Sequence, residues 1–314
     1  MTATQASIRP LTALFSALCL DALLAYGAAQ RAGRREDRRL IALGLAFGFG
    51  VAHHPSLVFP GVAFLAYLLL VDPGLIRQPR RWIKPLSAFV LGFLPWLYLP
   101  IRGAGGAVLA PEGLASWNGF WHHVLARGFA GDMFYFRTWQ ALGDRLLVLG
   151  NILTFQWNTA LLALTGLALF ALALRDWRAL ALLGGSFVLH SFITMTYRAP
   201  QTVEYLFPAY ASLTVGLGSG VGCLGRPPIL NLAPIHQSRR IAPPQAEILS
   251  GVRAMMLSGV IVSSLAVGWR NWPSFRLLAQ DNSTREYAEA ILDQAPPGSV
   301  VLAGWHWAMP MQAI

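Results

Sequence analysis

Side chains able to do chemistry are few in this chain, and they sit at the ends of long apolar stretches or inside them. His53 and His54 stand together before Pro55. Arg102 closes the run Leu94-Pro95-Trp96-Leu97-Tyr98-Leu99-Pro100-Ile101, and Glu204-Tyr205 opens another apolar run. Imidazoles and carboxylates can move protons, and an ionisable group at membrane depth is costly enough to be a functional candidate by default. Neighbouring helical positions point about 100° apart, so His53 and His54 cannot readily chelate one ion; one can face a pocket while the other hydrogen-bonds a neighbouring helix. Arg102, at the end of an apolar run, carries a guanidinium suited to a phosphate, and a side chain that only snorkels to the headgroups would have the same sequence context. Glu204 and Tyr205 can bind hydroxyl groups, or Glu204 can pair with Arg198. Asp132 lies in an aromatic segment and Asp144, beside Arg145, reads as helix-start chemistry. Asp21 and His190, inside apolar runs, read as buried partners of interhelical hydrogen bonds. No metal-ligand spacing is present, and nothing calls for a cofactor.

The elements that must hold these groups follow from composition. Of 314 residues, 55% are hydrophobic and only 12% charged, with a mean hydropathy of +0.50, which leaves too few polar side chains to coat a water-soluble body of this size. The apolar residues fall in blocks of about 18–25, the length that crosses roughly 30 Å of hydrocarbon. The expectation is an all-α polytopic membrane protein with about eight transmembrane helices, near 11–30, 40–57, 58–72, 83–101, 146–174, 179–197, 203–223 and 250–269. The net charge of +10 is spread over the short loops rather than gathered on one face, so membrane topology accounts for it and a nucleic-acid partner is not expected. Cys19 and Cys223 both lie in apolar runs and make neither a disulfide framework nor a metal site.

Eight crossings gather Arg31, Arg34, Arg35, Arg38, Arg39, Arg77, Arg80, Arg81, Lys84, Arg175, Arg178, Arg226, Arg239 and Arg240 on one side, which the positive-inside rule makes the cytoplasm. The other side receives a loop from about 102 to 145 rich in Trp, His and Phe, whose spacing suggests helices lying along the membrane surface, either as an anchor or as a substrate platform. A proline-rich cytoplasmic linker is expected over about 224–249. The membrane domain is read as roughly 1–269. The remaining residues, about 270–314, read as a capped amphipathic helix, a Pro-Gly turn and a β-rich run from Ser299 to Leu302, the start of a small extracytoplasmic α/β segment. The chain reads as truncated at both ends, because that segment stops early and Met1 to Pro10 carries no export signal.

Three segments in one order, Arg9-Pro10-Leu11-Thr12-Ala13-Leu14-Phe15, Gly48-Phe49-Gly50-Val51-Ala52-His53-His54-Pro55 and Leu94-Pro95-Trp96-Leu97-Tyr98-Leu99-Pro100-Ile101-Arg102, resemble the protein O-mannosyltransferase-like membrane family. Pro296-Pro297-Gly298-Ser299-Val300 is similar to that family's C-terminal segment. The resemblance implies a GT-C fold and a membrane glycosyltransferase, or a fragment of one. Such an enzyme takes a sugar from a polyprenyl-phosphate carrier and gives it to an extracytoplasmic acceptor, protein O-mannosylation being one form of that transfer. It implies residence in the cell membrane, as a multi-pass protein of a bacterial inner membrane. The acidic base of the family is expected upstream of Met1, so no catalytic residue is assigned. His53, His54, Tyr98, Arg102, Glu204 and Tyr205 form the expected substrate-binding set. Two other classes stay open: a transporter or flippase-like carrier, for which internal repeats with paired broken helices would be the signature, and a noncatalytic remnant or subunit that binds without turnover.

Overall fold

The computed structural model describes residues 8–107, 110–198, 202–224, 243–296 and 298–299 of the chain. The basic linker residues Arg226, Arg239 and Arg240, and the expected β-rich run beyond Ser299, lie outside the described residues.

Helix is the only regular structure among the described residues. The longer elements are α1 (Ile8–Arg31), α2 (Asp37–His53), α3 (Gly61–Val71), α5 (Arg80–Leu91), α8 (Trp139–Arg175), α9 (Trp177–Thr196), α11 (Phe207–Leu224), α12 (Pro243–Gln280) and α13 (Ser283–Gln294). Short helices α4 (Gly74–Arg77), α6 (Tyr98–Ala104), α7 (Trp117–Val124) and α10 (Thr202–Tyr205) join them, with 3-10 turns at Pro55–Val58, Leu94–Leu97 and Arg127–Asp132. Among the described residues six helical stretches are long and apolar enough to cross a membrane: Pro10–Arg31, Arg80–Ala104, Trp139–Arg175, Trp177–Thr196, Phe207–Leu224 and Glu247–Gln294. A multi-pass helical membrane protein is built this way. The other two expected crossings fall short. α2 has 17 residues, a rise of about 25 Å at 1.5 Å each, and the apolar stretch Pro55–Val71 includes a 3-10 turn. The break between them comes from Pro55, which disfavours helix at His54; that residue adopts extended backbone and ends α2.

In the unit formed by residues 8–261, α1, α2, α3 and α9 share a core of Leu20, Leu23, Tyr26, Leu40, Phe64, Tyr67, Leu182 and Leu183. α8, α11 and the first part of α12 close around Trp157, Ala168, Leu213, Leu217 and Met256. Close helix contact rests on missing side chains: a Cβ on Gly48 would collide with the carbonyl oxygen of Phe89, and one on Gly92 with the backbone of Gly48 and Phe49. Backbones that approach this closely are how helices associate when lipid removes the hydrophobic drive between them. Large apolar side chains on the outside, among them Leu147, Phe170 and Leu174, are exposed, as a lipid-facing surface requires. The contacts divide the chain after Ile261, within α12, and the second unit contains the rest of α12 with α13, an amphipathic helix running from Ser283 to Gln294.

Candidate functional site

Polar side chains collect at two places in the larger unit. At one, Arg81 in the first turn of α5 donates from Nη1 to Asp72 (2.7 Å) and from Nη2 to Asp37 (2.6 Å) and to the Tyr26 hydroxyl (2.8 Å), while Tyr26 donates to Asp72 (2.6 Å). Arg31 pairs with Asp176 at 2.8 Å. Burial acts to raise the Asp72 carboxyl, but hydrogen bonds from Tyr26 and Arg81 outweigh it and hold the group below its ordinary value. These charged groups are paired with one another within the protein, which is the pattern of a structural clamp.

The other place is a partly open cavity of about 550 Å³ lined by the end of α9, the His54–Phe59 turn, Tyr205 and the strap from Leu125 to Phe134. Its position follows from local sequence. His54 caps the 3-10 turn: its Nδ1 accepts from the Ser56 N–H (3.3 Å) and lies 2.8 Å from the Ser56 hydroxyl. The same imidazole meets the Tyr205 ring edge-on at 5.8 Å, and Tyr205 in turn meets Tyr197 at 5.6 Å. The strap turns through two left-handed residues, Ala126 and Phe134. It is pinned to the end of α9 by the Phe136 N–H on the Thr196 carbonyl (3.1 Å), the Arg198 N–H on the Asp132 carbonyl (3.0 Å) and an Arg198–Asp132 ion pair (2.7 Å). The hydrogen bonds to Asp132 raise the Arg198 guanidinium above its ordinary value. Burial, then the neighbouring Tyr205 and Asp132, raise the Tyr197 phenol. Arg145 of α8 adds bonds to the Met195 carbonyl and the Thr202 hydroxyl and stacks over Phe136 at 4.8 Å.

Of the expected binding set, His54 and Tyr205 line this cavity together, and Glu204 lies beside them in a narrow cleft with Thr12, Ser56 and Pro208. His53 does not join them. Its ring packs toward Phe15 on α1, at 6.1 Å. Tyr98 and Arg102 also stand apart, both exposed on α6, with the guanidinium 6.0 Å from the tyrosine ring. The ring of Trp96 anchors that segment by donating to the Ala52 carbonyl (2.8 Å), and it packs on Phe120 and Trp121 of α7.

Two readings of individual residues are corrected. The partner of Arg198 is Asp132 rather than Glu204, because the strap brings that carboxylate under the guanidinium. Asp21 is not buried: its side chain is 75% exposed, 4.0 Å from Arg39. His190 does make the expected interhelical bond, donating from Nε2 to the Tyr205 carbonyl at 2.8 Å, but it also lines the cavity. Thr194, one helical turn further along α9, and Tyr197, just past its end, line it as well, and nothing in their sequence spacing distinguished them from ordinary helix-face residues. Among the described residues no group of acidic, His or Cys side chains could hold a metal ion.

The cavity therefore offers imidazole and hydroxyl groups on an apolar wall, at the end of the bundle away from the Arg81 clamp. No protein-family model, curated protein or solved structure matches the chain.

Proposed function

We propose that this chain is the membrane part of a GT-C-like glycosyltransferase that moves a sugar from a polyprenyl-phosphate carrier to an acceptor at the outer face of a cell membrane. In this reading the short α2 and Pro55–Val71 segments cross the bilayer with the six longer stretches, making eight crossings, and residues after α12 begin an extracytoplasmic segment. The observation that supports it is the cavity itself, walled by apolar side chains yet edged by His54, Thr194, Tyr197 and Tyr205, at the end of the bundle carrying the aromatic loop. A lipid-linked sugar presents that combination of chain and hydroxyls. Arg102, exposed at the end of α6, is assigned to the carrier phosphate, whose charge a guanidinium can meet with paired donors. His54, Tyr205 and Glu204 are assigned to the sugar.

One observation favours a second reading, a subunit that binds without turnover. Transfer to a hydroxyl needs a base, and no Asp or Glu is among the described residues lining the cavity.

The full chain in liposomes, given radiolabelled polyprenyl-phosphate-mannose and an envelope acceptor fraction, tests both. Transfer that falls by about tenfold or more in His54→Ala and Arg102→Ala supports the enzyme and its site, since one lost charged or oriented contact is worth roughly that much. Unaltered transfer in both variants rejects the site. Saturable donor binding with no transfer supports the binding subunit, and neither binding nor transfer rejects both.

A further inference from the structure

One residue of the cavity wall carries a buried polar atom that no described residue satisfies. His190 is 1% exposed. Its Nε2 faces the Tyr205 carbonyl at 2.8 Å, and its Nδ1 has no hydrogen-bond partner among the described residues. A carbonyl oxygen can only accept, so Nε2 carries the hydrogen, and the neutral ring must present Nδ1 as a bare acceptor. Leaving such a group buried and unpaired costs free energy that a donor entering the cavity would recover.

The walls narrow the class of donor. Phe59, Leu125, Phe129, Met133, Phe134 and Ile193 supply an apolar surface, and neither Lys, Arg, Asp nor Glu is among the described lining residues. An anionic or cationic group would thus be desolvated there without a counter-charge, which is expensive. A neutral hydroxyl needs no counter-charge and supplies the one hydrogen that Nδ1 lacks. Leu125 and Phe129 in the outer wall are more than half exposed, so that wall meets the surroundings of the bundle, where amphiphiles dissolve. The volume of about 550 Å³ suits a single chain-like molecule. We propose that this cavity is a binding site for a neutral, hydroxyl-bearing aliphatic ligand, whose O–H donates to Nδ1 of His190 while its chain lies along the apolar wall. The site does not depend on sugar transfer and stands or falls on binding alone.

Dodecanol and dodecyl methyl ether make the decisive probe pair, because the ether keeps the chain and the oxygen but has no hydrogen to donate. With the full chain in detergent, saturable binding of the alcohol is expected to exceed that of the ether by about tenfold, the value of one buried hydrogen bond. His190→Phe removes the preference, and Ile193→Trp, which narrows the cavity one helical turn from His190 while keeping the His190–Tyr205 bond, weakens saturable binding of both. Histidine labelled with ¹⁵N in the unaltered protein gives a readout that requires no variant to fold. The Nδ1 signal of His190 shifts on adding the alcohol and does not shift with the ether. Equal binding of the two probes, a preference that survives His190→Phe, or an unmoved Nδ1 signal with water as its only donor would each overturn the site.

Discussion

At the scale of single residues, Arg81 carries the greatest consequence for stability. Its side chain is only 9% exposed and is shared among Asp37, Asp72 and Tyr26, so three elements meet on one guanidinium. Removing one partner from a nearly buried ionic cluster leaves the others desolvated and unpaired, which is worse than replacing the whole cluster. Arg81→Met is therefore expected to destabilise the folded chain by about 3 kcal/mol, read as a lower midpoint in denaturant unfolding in detergent. Asp72 adds a pH signature. Because its carboxyl is held below its ordinary value, the stability it contributes is complete above the unfolded value, about pH 4, and is lost as the pH falls through the lower folded value. Asp72→Asn should be less stable at neutral pH and should lose less on acidification. The sequence placed Arg81 among loop arginines. Its role depends on Tyr26 and Asp37 arriving from distant positions, and no local pattern announces that.

At the scale of elements, long apolar runs were legible and breaks within them were not. The expected helices near 11–30 and 179–197 correspond to α1 and α9 within a few residues, because continuous hydropathy and flanking arginines mark both ends. The run near 83–101 is instead α5, a 3-10 turn and α6, broken where Leu94-Pro95 tightens the backbone. The run near 146–174 extends back to Trp139, where Thr138 caps the helix by accepting from the Ala141 N–H, and it is kinked at Asn158. Asn158 adopts φ 52° and ψ 163°, and its side-chain oxygen accepts from the Leu161 N–H at 2.8 Å, restarting the helix after the kink. That backbone region is one that glycine enters readily and alanine does not. Asn158→Ala is expected to cost about 2 kcal/mol from the lost cap and the strain together, and Asn158→Gly distinctly less, measured by thermal unfolding in detergent. Equal losses in the two variants would assign the kink to the surrounding packing.

At the scale of the whole molecule, the useful fact is where charge and aromatic residues go along the larger unit. One end holds Arg31 with Asp176 and Arg81 with Asp37 and Asp72; the other holds the strap, Arg198 with Asp132, and the cavity. The sequence grouped His54, Glu204 and Tyr205 with His53, Tyr98 and Arg102 because all stand near places where apolar runs begin or end, and the structure brings only the first three together. It could not anticipate that Nδ1 of His190, a residue of the same cavity wall, is left without a partner among the described residues, because that depends on the angle of one ring. If arginine-rich loops stay in the cytoplasm, the cavity faces outward, where carrier lipids deliver their sugars in the proposed reading. The orientation can be read directly in a chain whose Cys19 and Cys223 are replaced by alanine. Arg38→Cys and Trp139→Cys place single thiols at two exposed positions on opposite sides, the tryptophan being 90% exposed. A membrane-impermeant maleimide should label position 139 in intact spheroplasts and position 38 only after the membrane is opened. The reverse pattern would turn the cavity toward the cytoplasm and remove the extracytoplasmic glycosyltransferase reading, while leaving the alcohol site intact, because a neutral amphiphile reaches either leaflet. Labelling of both positions from the same side would require an even number of crossings between them, and with it a different path for α2, α3, α5 and α6 through the bilayer.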